Sequence, residues 1–328
     1  MGQLIKLQDY ISRYEQDIYR YPAQFVRLKK QQWTQLKAAY LAGELETLGS
    51  EPAPDEKEMA EEKESVLSKM KKILKGRQEI VEDYRGPAVE SPDAELDLLF
   101  AVTSMPDNLD ELKRMFLNKV FRFQLKWVSS TIREKSYIDQ VYFFDEKLKF
   151  FLQRFPDNFL ILYKPIFLVK NAPIELEVIL ISPIETWCIT ILEGEEDAAF
   201  IGSKERFWLK RHHVHGDKKV LNPLLSANRT ANIVSNIYSS FGIESPVKKA
   251  VLTRNGYMDY PAAPHDIVFV DKKIYENWLD RMRSISSPLK HNQLKAAKVL
   301  LDYCQTTYNK RLEWDEEKED ASEGEYRE

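Results

Sequence analysis

Within the sixteen residues from Lys204 to Lys219, Lys204, Arg206, Lys210, Arg211, Lys218 and Lys219 surround His212, His213 and His215, with Phe207 and Trp208 interleaved. Lysine and arginine neutralise phosphates and flat rings stack on bases, so this stretch is a candidate contact for a single-stranded or duplex nucleic acid. The His213-x-His215 spacing also offers two imidazoles to Zn²⁺. Only Asp217 lies close enough in sequence to join them, and a closed zinc site takes four ligands, so solvated histidines are the plainer reading. Elsewhere Asp259 and His265 stand in NGYMDYPAAPHD, but no serine lies in a nucleophile elbow that would complete a hydrolase triad. The Walker and dinucleotide glycine spacings are absent as well.

These groups need a framework, and the apolar pattern predicts one. Asn108 with Glu111 three residues on caps a helix carrying Leu109, Leu112 and Phe116. DEKLKFFLQRF turns Leu148, Phe151, Leu152 and Phe155 to one face and stops at Pro156. The runs FLILYKPIFLV, LEVILIS and TWCITIL are short and bounded by Asn, Pro, Glu or Gly, as neighbouring strands are. The basic stretch then reads as a loop. Beyond it Leu224, Ala227, Ala231, Val234 and Ile237 or Tyr238 mark a helix ending near Gly242. VKKAVLT and DIVFVD read as strands, KIYENWLDRM as a short helix, and Leu294, Ala297, Leu301, Cys304, Tyr308 and Leu312 as a terminal helix. The order helix, three strands, helix, strand predicts a mixed α/β fold.

Upstream, Leu4, Leu7, Ile11, Tyr14, Ile18 and Phe25 alternate three- and four-residue steps with one longer, a seam by which a helix buries a narrow stripe. Pro22 interrupts it, and a second helix runs to about Leu41 through Phe25, Trp33, Leu36 and Tyr40. GSEPAPDEKE breaks the pattern as a linker, after which Met59, Val66, Met70, Ile73 and Ile80 resume a heptad-like seam. Residues 1–82 therefore read as a helical arm with a linker near 43–55. It is either a hairpin packed on its own domain or a coiled-coil-like surface for self-association or a protein partner. A connecting segment, 83–106, leads to an α/β core over 107–312.

From Glu313 to Glu328 nine acids face Lys318 and Arg327, a net of -7 in a chain whose formal charge is -4, which leaves the remainder at +3. Residues 313–328 read as a disordered, solvating acidic tail, and the less usual alternative is a nucleic-acid mimic that folds back on a basic face. A mildly basic body permits a nucleic-acid partner without requiring one. No apolar run reaches the roughly 18 residues of a membrane helix and no signal-peptide apolar region opens the chain, so a cytoplasmic protein without a membrane partner is expected. Met1-Gly2 resembles a myristoylation start, but position six is Lys6 where Ser or Thr is required. Cys188 and Cys304 lie in apolar strand and helix patterns, where they read as small buried hydrophobes rather than as a disulfide or metal pair.

Over about Asp145 to Arg283 the element order and several local signatures together resemble the nuclease-related domain (NERD), a branch of the restriction-endonuclease-like PD-(D/E)xK superfamily. Asp145-Glu146 stands where members open a helix with Gly-Glu, and Glu146 keeps the acid. Glu177 precedes VILISP, with Ser182-Pro183 at the turn; Gly202 and Trp208 echo a glycine and an aromatic after the third strand; Asn222-Pro223 opens the next helix. The resemblance implies a restriction-endonuclease-like mixed sheet flanked by helices. It also implies a centre in which carboxylates, here Glu146 and Glu177, hold Mg²⁺ while a lysine stabilises charge and orients the attacking water.

Two signatures depart from the pattern. Counting from Ser182-Pro183 puts Thr190 and Leu192 where members have Glu-x-Lys, and Ser226 stands where a Gln follows Asn-Pro. Positions two apart share a strand face, so both lost groups belong to the metal cleft, and leucine neither orients a water nor holds a charge. The expectation is a catalytically impaired relative, without a cofactor, that binds DNA or RNA or serves as an assembly scaffold. One alternative is an active, divergent Mg²⁺-dependent nuclease in which a bulge brings Glu193 to Glu146 and Glu177, with Lys204 or Arg229 replacing the lysine. Otherwise Glu193, Gly194, Glu195 and Glu196 read as a solvated turn. The other alternative is a protein-interaction scaffold that engages no nucleic acid.

Overall fold

A computed structural model describes residues 1–45, 105–131 and 133–310. It divides into two compact units, Met1–Gln31 with Lys113–Glu328, and Gln32–Leu112. The seam from Met59 to Ile80 lies outside the described residues, as do the linker GSEPAPDEKE, nearly all of the 83–106 segment and the 313–328 tail.

The chain opens on a strand, β1 (Gln3–Leu7), every residue of which is buried. This corrects the helical reading of Leu4 and Leu7: with Gln3 and Lys6 buried beside Leu4, Ile5 and Leu7, the polar and apolar residues of QLIKL do not alternate, so a three-residue step does not distinguish the strand from a helix. The one-turn α1 (Arg13–Gln16) is capped by Ser12, whose Oγ accepts from the Tyr14 N–H at 3.1 Å. α2 (Tyr21–Ala42) then runs unbroken with Pro22 in its first turn, where a missing N–H is no loss. Phe25, Leu28 and Leu36 on it are buried within the chain itself. α3 (Leu109–Val128) begins where Asn108 Oδ1 accepts from the Glu111 N–H at 2.8 Å. It extends well past Phe116 because Val120, Phe123 and Trp127 continue the helical spacing and are buried.

After the short β2 (Glu134–Lys135), Asp145 caps α4 (Glu146–Arg154), its Oδ1 accepting from Lys147 and Leu148 at 2.8 and 3.1 Å. FLILYKPIFLV is two strands, β3 (Leu160–Tyr163) and β4 (Ile166–Val169). Lys164 between them adopts a φ of 48° and Pro165 has no N–H for a ladder. β4 forms a separate hairpin with β5 (Ala172–Glu175), and β6 (Val178–Ile181) and β7 (Thr186–Ile191) follow. The basic stretch is a hairpin rather than a loop: β8 (Ala199–Ile201) is followed by β9 (Phe207–His212) and β10 (Gly216–Leu221), the last two paired antiparallel. Next come α5 (Pro223–Ser240), β11 (Val247–Leu252), β12 (Tyr257–Asp259), β13 (Ile267–Val270) and α6 (Tyr275–Arg283). α7 (His291–Asp302) stops short of the predicted terminal helix, because Cys304 bridges to Phe167 and Leu168 N–H donates to the Tyr303 carbonyl at 2.8 Å. β14 (Asn309–Lys310) then pairs with β2.

The larger unit carries a six-stranded sheet ordered β1-β3-β6-β7-β11-β13 and a four-stranded sheet ordered β10-β9-β8-β12. In the six-stranded sheet β1 is parallel to β3, and β7, β11 and β13 are parallel to one another, while β6 runs antiparallel to both of its neighbours. The sequence α4, β3, β6, β7, α5, β11 thus realises the predicted order of helix, three strands, helix and strand, with β8–β10 inserted before α5. Thr186 Oγ1 lies 3.0 Å from the Tyr238 hydroxyl of α5, whereas the Trp187 ring meets Trp278 of α6, so even-numbered residues of β7 face α5 and odd-numbered ones the opposite side. Five of the six strands end along one edge, the edge outside which open α/β sheets bind ligands.

Candidate functional site

Glu177 stands at that edge, one residue before β6. Extending the β6–β7 register by one residue sets it beside Thr190, and the β3–β6 register sets it across from Lys164. Its own N–H donates to Thr230 Oγ1 of α5 at 3.1 Å. Burial pushes its carboxyl above the usual range, against the opposing pull of a Ser226 hydrogen bond and the Lys164 and Arg229 charges. Thr190, buried on the same face, has its Oγ1 3.3 Å from Ser226 Oγ. The two departures from the family pattern, at the acid and at the Gln, therefore touch each other. Leu192 packs instead against the apolar cluster of Phe200, Trp208, Leu224, Ala227 and Val251.

Glu193 and Glu146 belong to the other face. The register of β7 is unbroken with β6 from Thr186 to Ile189 and with β11 from Thr186 to Ile191, and the Leu192 N–H continues it onto the Leu252 carbonyl at 2.8 Å, so the bulge that would turn Glu193 toward Glu177 is not there. Glu193 accepts instead from Arg254 Nε, and that guanidinium lies over the Phe150 ring of α4 at 4.9 Å. Glu146 is 73% exposed and pairs with Lys149 at 3.4 Å. Of the two proposed lysine replacements, Arg229 donates to the Glu175 carbonyl at 3.2 Å and Lys204 is exposed in the turn before β9. The three carboxylates are thus divided between the faces of one sheet, and among the described residues no three His, Cys, Asp or Glu side chains are arranged to hold a metal ion.

The basic hairpin sorts its residues by the same two-residue period. Trp208, 1% exposed, is core: its Nε1 donates to the Ser203 carbonyl at 3.0 Å, and Tyr260 and Phe269 pack on it with centroids 5.5 and 6.1 Å away. It cannot stack on a base, which corrects its reading as a contact residue. Gly202 belongs to that packing, because a Cβ there would fall 2.6 Å from the Tyr260 ring. Asn222, buried at the start of α5, accepts from the Leu224 N–H and donates to the Glu205 carbonyl at 2.8 Å, tying helix to insert.

Lys210 is committed to Glu195 at 2.5 Å, holding that carboxyl down to about 2 through its hydrogen bond, and Arg211 forks onto Asp217 at 3.1 and 3.2 Å. His212 Nδ1 accepts from the Val214 and His215 N–H groups, both at 3.2 Å, leaving Nε2 to donate to the Glu196 carbonyl at 3.1 Å. Both its ring nitrogens are used in holding the turn, so it has none left for zinc, while His213 and His215 stack on it in solvent. What remains outside is Lys204, Arg206, Lys218 and Lys219, all exposed and, among the described residues, without an acid in salt-bridge range. Phe207 and Leu221 are cross-strand partners at 46% and 54% exposure on the face that also carries Lys219, whereas Lys218 pairs with Lys210 on the face of Trp208.

A stretch of 126 residues, 38% of this chain, is 36% identical to an RNA 2',3'-cyclic phosphodiesterase of Geobacillus stearothermophilus. The match spans about a third of that protein's own length, 36% of it. No protein-family model matches the chain, and no solved structure matches it at a significant level. No helix among the described residues is long and apolar enough to cross a membrane.

Three contributors at the sheet edge escape sequence reasoning. Arg254 meets Glu193 because the β7–β11 register carries the same offset past both strand ends, a pairing visible only once the strands are neighbours. Lys164, two residues beyond the paired part of β3, lies near enough for its charge to act on Glu177. Leu221 sits well beyond the basic cluster in sequence and joins Phe207 only across the hairpin. FWLKRH runs three apolar residues and then three basic ones, with no two-residue alternation to mark that hairpin.

Proposed function

We propose that this chain is a nuclease-related, NERD-like protein of impaired phosphodiester cleavage that binds RNA through the exposed face of its β9–β10 hairpin. One observation carries the reading: the acid and lysine positions of the metal cleft hold a hydroxyl pair, Thr190 with Ser226, and a packed leucine, Leu192. Of the three candidate carboxylates, Glu177 stands alone on its face, and the nearby Glu175 acts on it only by raising its pKa. The element order α4, β3, β6, β7, α5, β11 supports the restriction-endonuclease-like assignment. Lys204, Arg206 and Lys219 supply phosphate contacts beside Phe207, which supplies a stacking ring; Lys218 projects from the opposite face with Lys210. RNA rather than DNA is preferred because a relative of part of the chain is named for an RNA phosphodiesterase.

The same relative favours a second reading, an active phosphodiesterase acting on RNA ends. Pure protein incubated with Mg²⁺ or Mn²⁺ and with DNA, RNA and an RNA oligonucleotide ending in a 2',3'-cyclic phosphate separates the two. The proposal expects salt-sensitive RNA binding and no turnover. Robust metal-dependent cleavage abolished by Glu177→Ala overturns the impairment, opening of the cyclic phosphate establishes the second reading, and binding indifferent to salt points to a scaffold that engages no nucleic acid.

A further inference from the structure

The unpaired cations of the hairpin and the acids of the C-terminal tail are opposite in sign and belong to one chain. We infer that residues 313–328 dock on the β9–β10 face and compete there with nucleic acid, an inference that rests on the proposed binding role of that face. The structure supplies the receiving surface. Within the hairpin, Lys210 and Arg211 are already neutralised by Glu195 and Asp217, whereas Lys204, Arg206, Lys218 and Lys219 are not. The apolar pair Phe207 and Leu221 lies exposed beside Lys219 and the Arg206 guanidinium, while Lys218 projects from the opposite face.

The tail has the complementary chemistry. Its nine acids against Lys318 and Arg327 present a dense row of anionic charge, and Trp314 and Tyr326 are interleaved as bases are along a phosphate backbone. It leaves the described body at β14, after Lys310. The last residue of the tail lies about 18 positions beyond Lys310, an extended reach of roughly 60 Å and of the same order as the roughly 45 Å across a folded body of about 250 residues, so the distal acids rather than Glu313 are the ones that make the contact. A tether of this kind raises the local concentration of the tail to the millimolar range, enough for weak ion pairing to hold a large fraction of the face.

The test compares the full chain with a full-length variant in which all nine acids from Glu313 to Glu328 become amides. Acetylation of Lys204 and Lys219, read by mass spectrometry against exposed Lys170 as reference, is expected to be slower in the wild type and to rise in the variant. Binding of a fluorescein-labelled oligouridylate is expected to tighten about three- to tenfold in the variant at low salt. Equal labelling of those lysines in both proteins overturns the inference whatever the RNA result. Protection that grows with protein concentration overturns it too, since the tail would then come from a second copy. Altered labelling with no RNA binding by either protein leaves the tail contact standing and sinks the nucleic-acid reading instead.

Discussion

Phe207 and Trp208 are adjacent in sequence and divided by the strand period, so replacing each with alanine separates binding from stability. Trp208 is 1% exposed, packed by Tyr260 and Phe269, and donates to the Ser203 carbonyl. Trp208→Ala should cost about 3–5 kcal/mol, the range for a large aromatic removed from a core. The Ser203 carbonyl keeps a second donor, Asn222 Nδ2 at 3.3 Å, so little is added for an orphaned acceptor. Phe207 is 46% exposed with the Arg206 guanidinium 5.6 Å from its ring centre, so about half the burial value of a phenylalanine is at stake, on the order of 1 kcal/mol. If Phe207 stacks on a base, its loss removes about 1–3 kcal/mol of binding, or about 5- to 150-fold in affinity. Urea denaturation and fluorescence anisotropy with a labelled single-stranded RNA measure the two quantities. The reasoning is refuted if Phe207→Ala binds as wild type, or if Trp208→Ala loses affinity while its unfolding midpoint stays put.

Two further outcomes follow from the same geometry. Burial raises the Glu177 pKa above its ordinary 4.5, so the folded state holds that proton more tightly than the unfolded chain. The stability tied to this group is full below pH 4.5 and declines as pH rises through the folded value; Glu177→Gln should remove the decline and exceed wild type at neutral pH. Urea titrations across that window check it, and a wild type that gains on the variant as pH rises contradicts it. For the hairpin, Arg206→Ala with Lys219→Ala should flatten the dependence of RNA affinity on salt by about 1.4 in log–log slope, about 0.7 for each phosphate no longer neutralised. An unchanged slope would mean that neither cation meets a phosphate.

Local chemistry was sufficient for much of the fold. Asp145 and Asn222 announce helix starts because a short acceptor side chain closes the first turn, and Gly242 announces an end because it tolerates a φ of 61°. The apolar runs marked the strands that became β3, β6 and β7. Glu177, Thr190 and Leu192 were singled out from spacing alone, because a strand's two-residue period carries side-chain direction within one segment. Pairing between segments was beyond that logic. β1 passed for a helix because its polar residues, Gln3 and Lys6, are three apart and buried rather than alternating with the apolar ones, and the hairpin passed for a loop because lysines on an edge strand remain solvated. Whether Glu193 reaches Glu177 depended on an unbroken register between β6, β7 and β11, and whether Trp208 stacks on a ligand depended on which face of β9 met Phe269. Residue types and their local periods were the sequence's to determine; the division of three carboxylates between two faces, and of six cations into paired and free, arose only when distant strands were laid side by side.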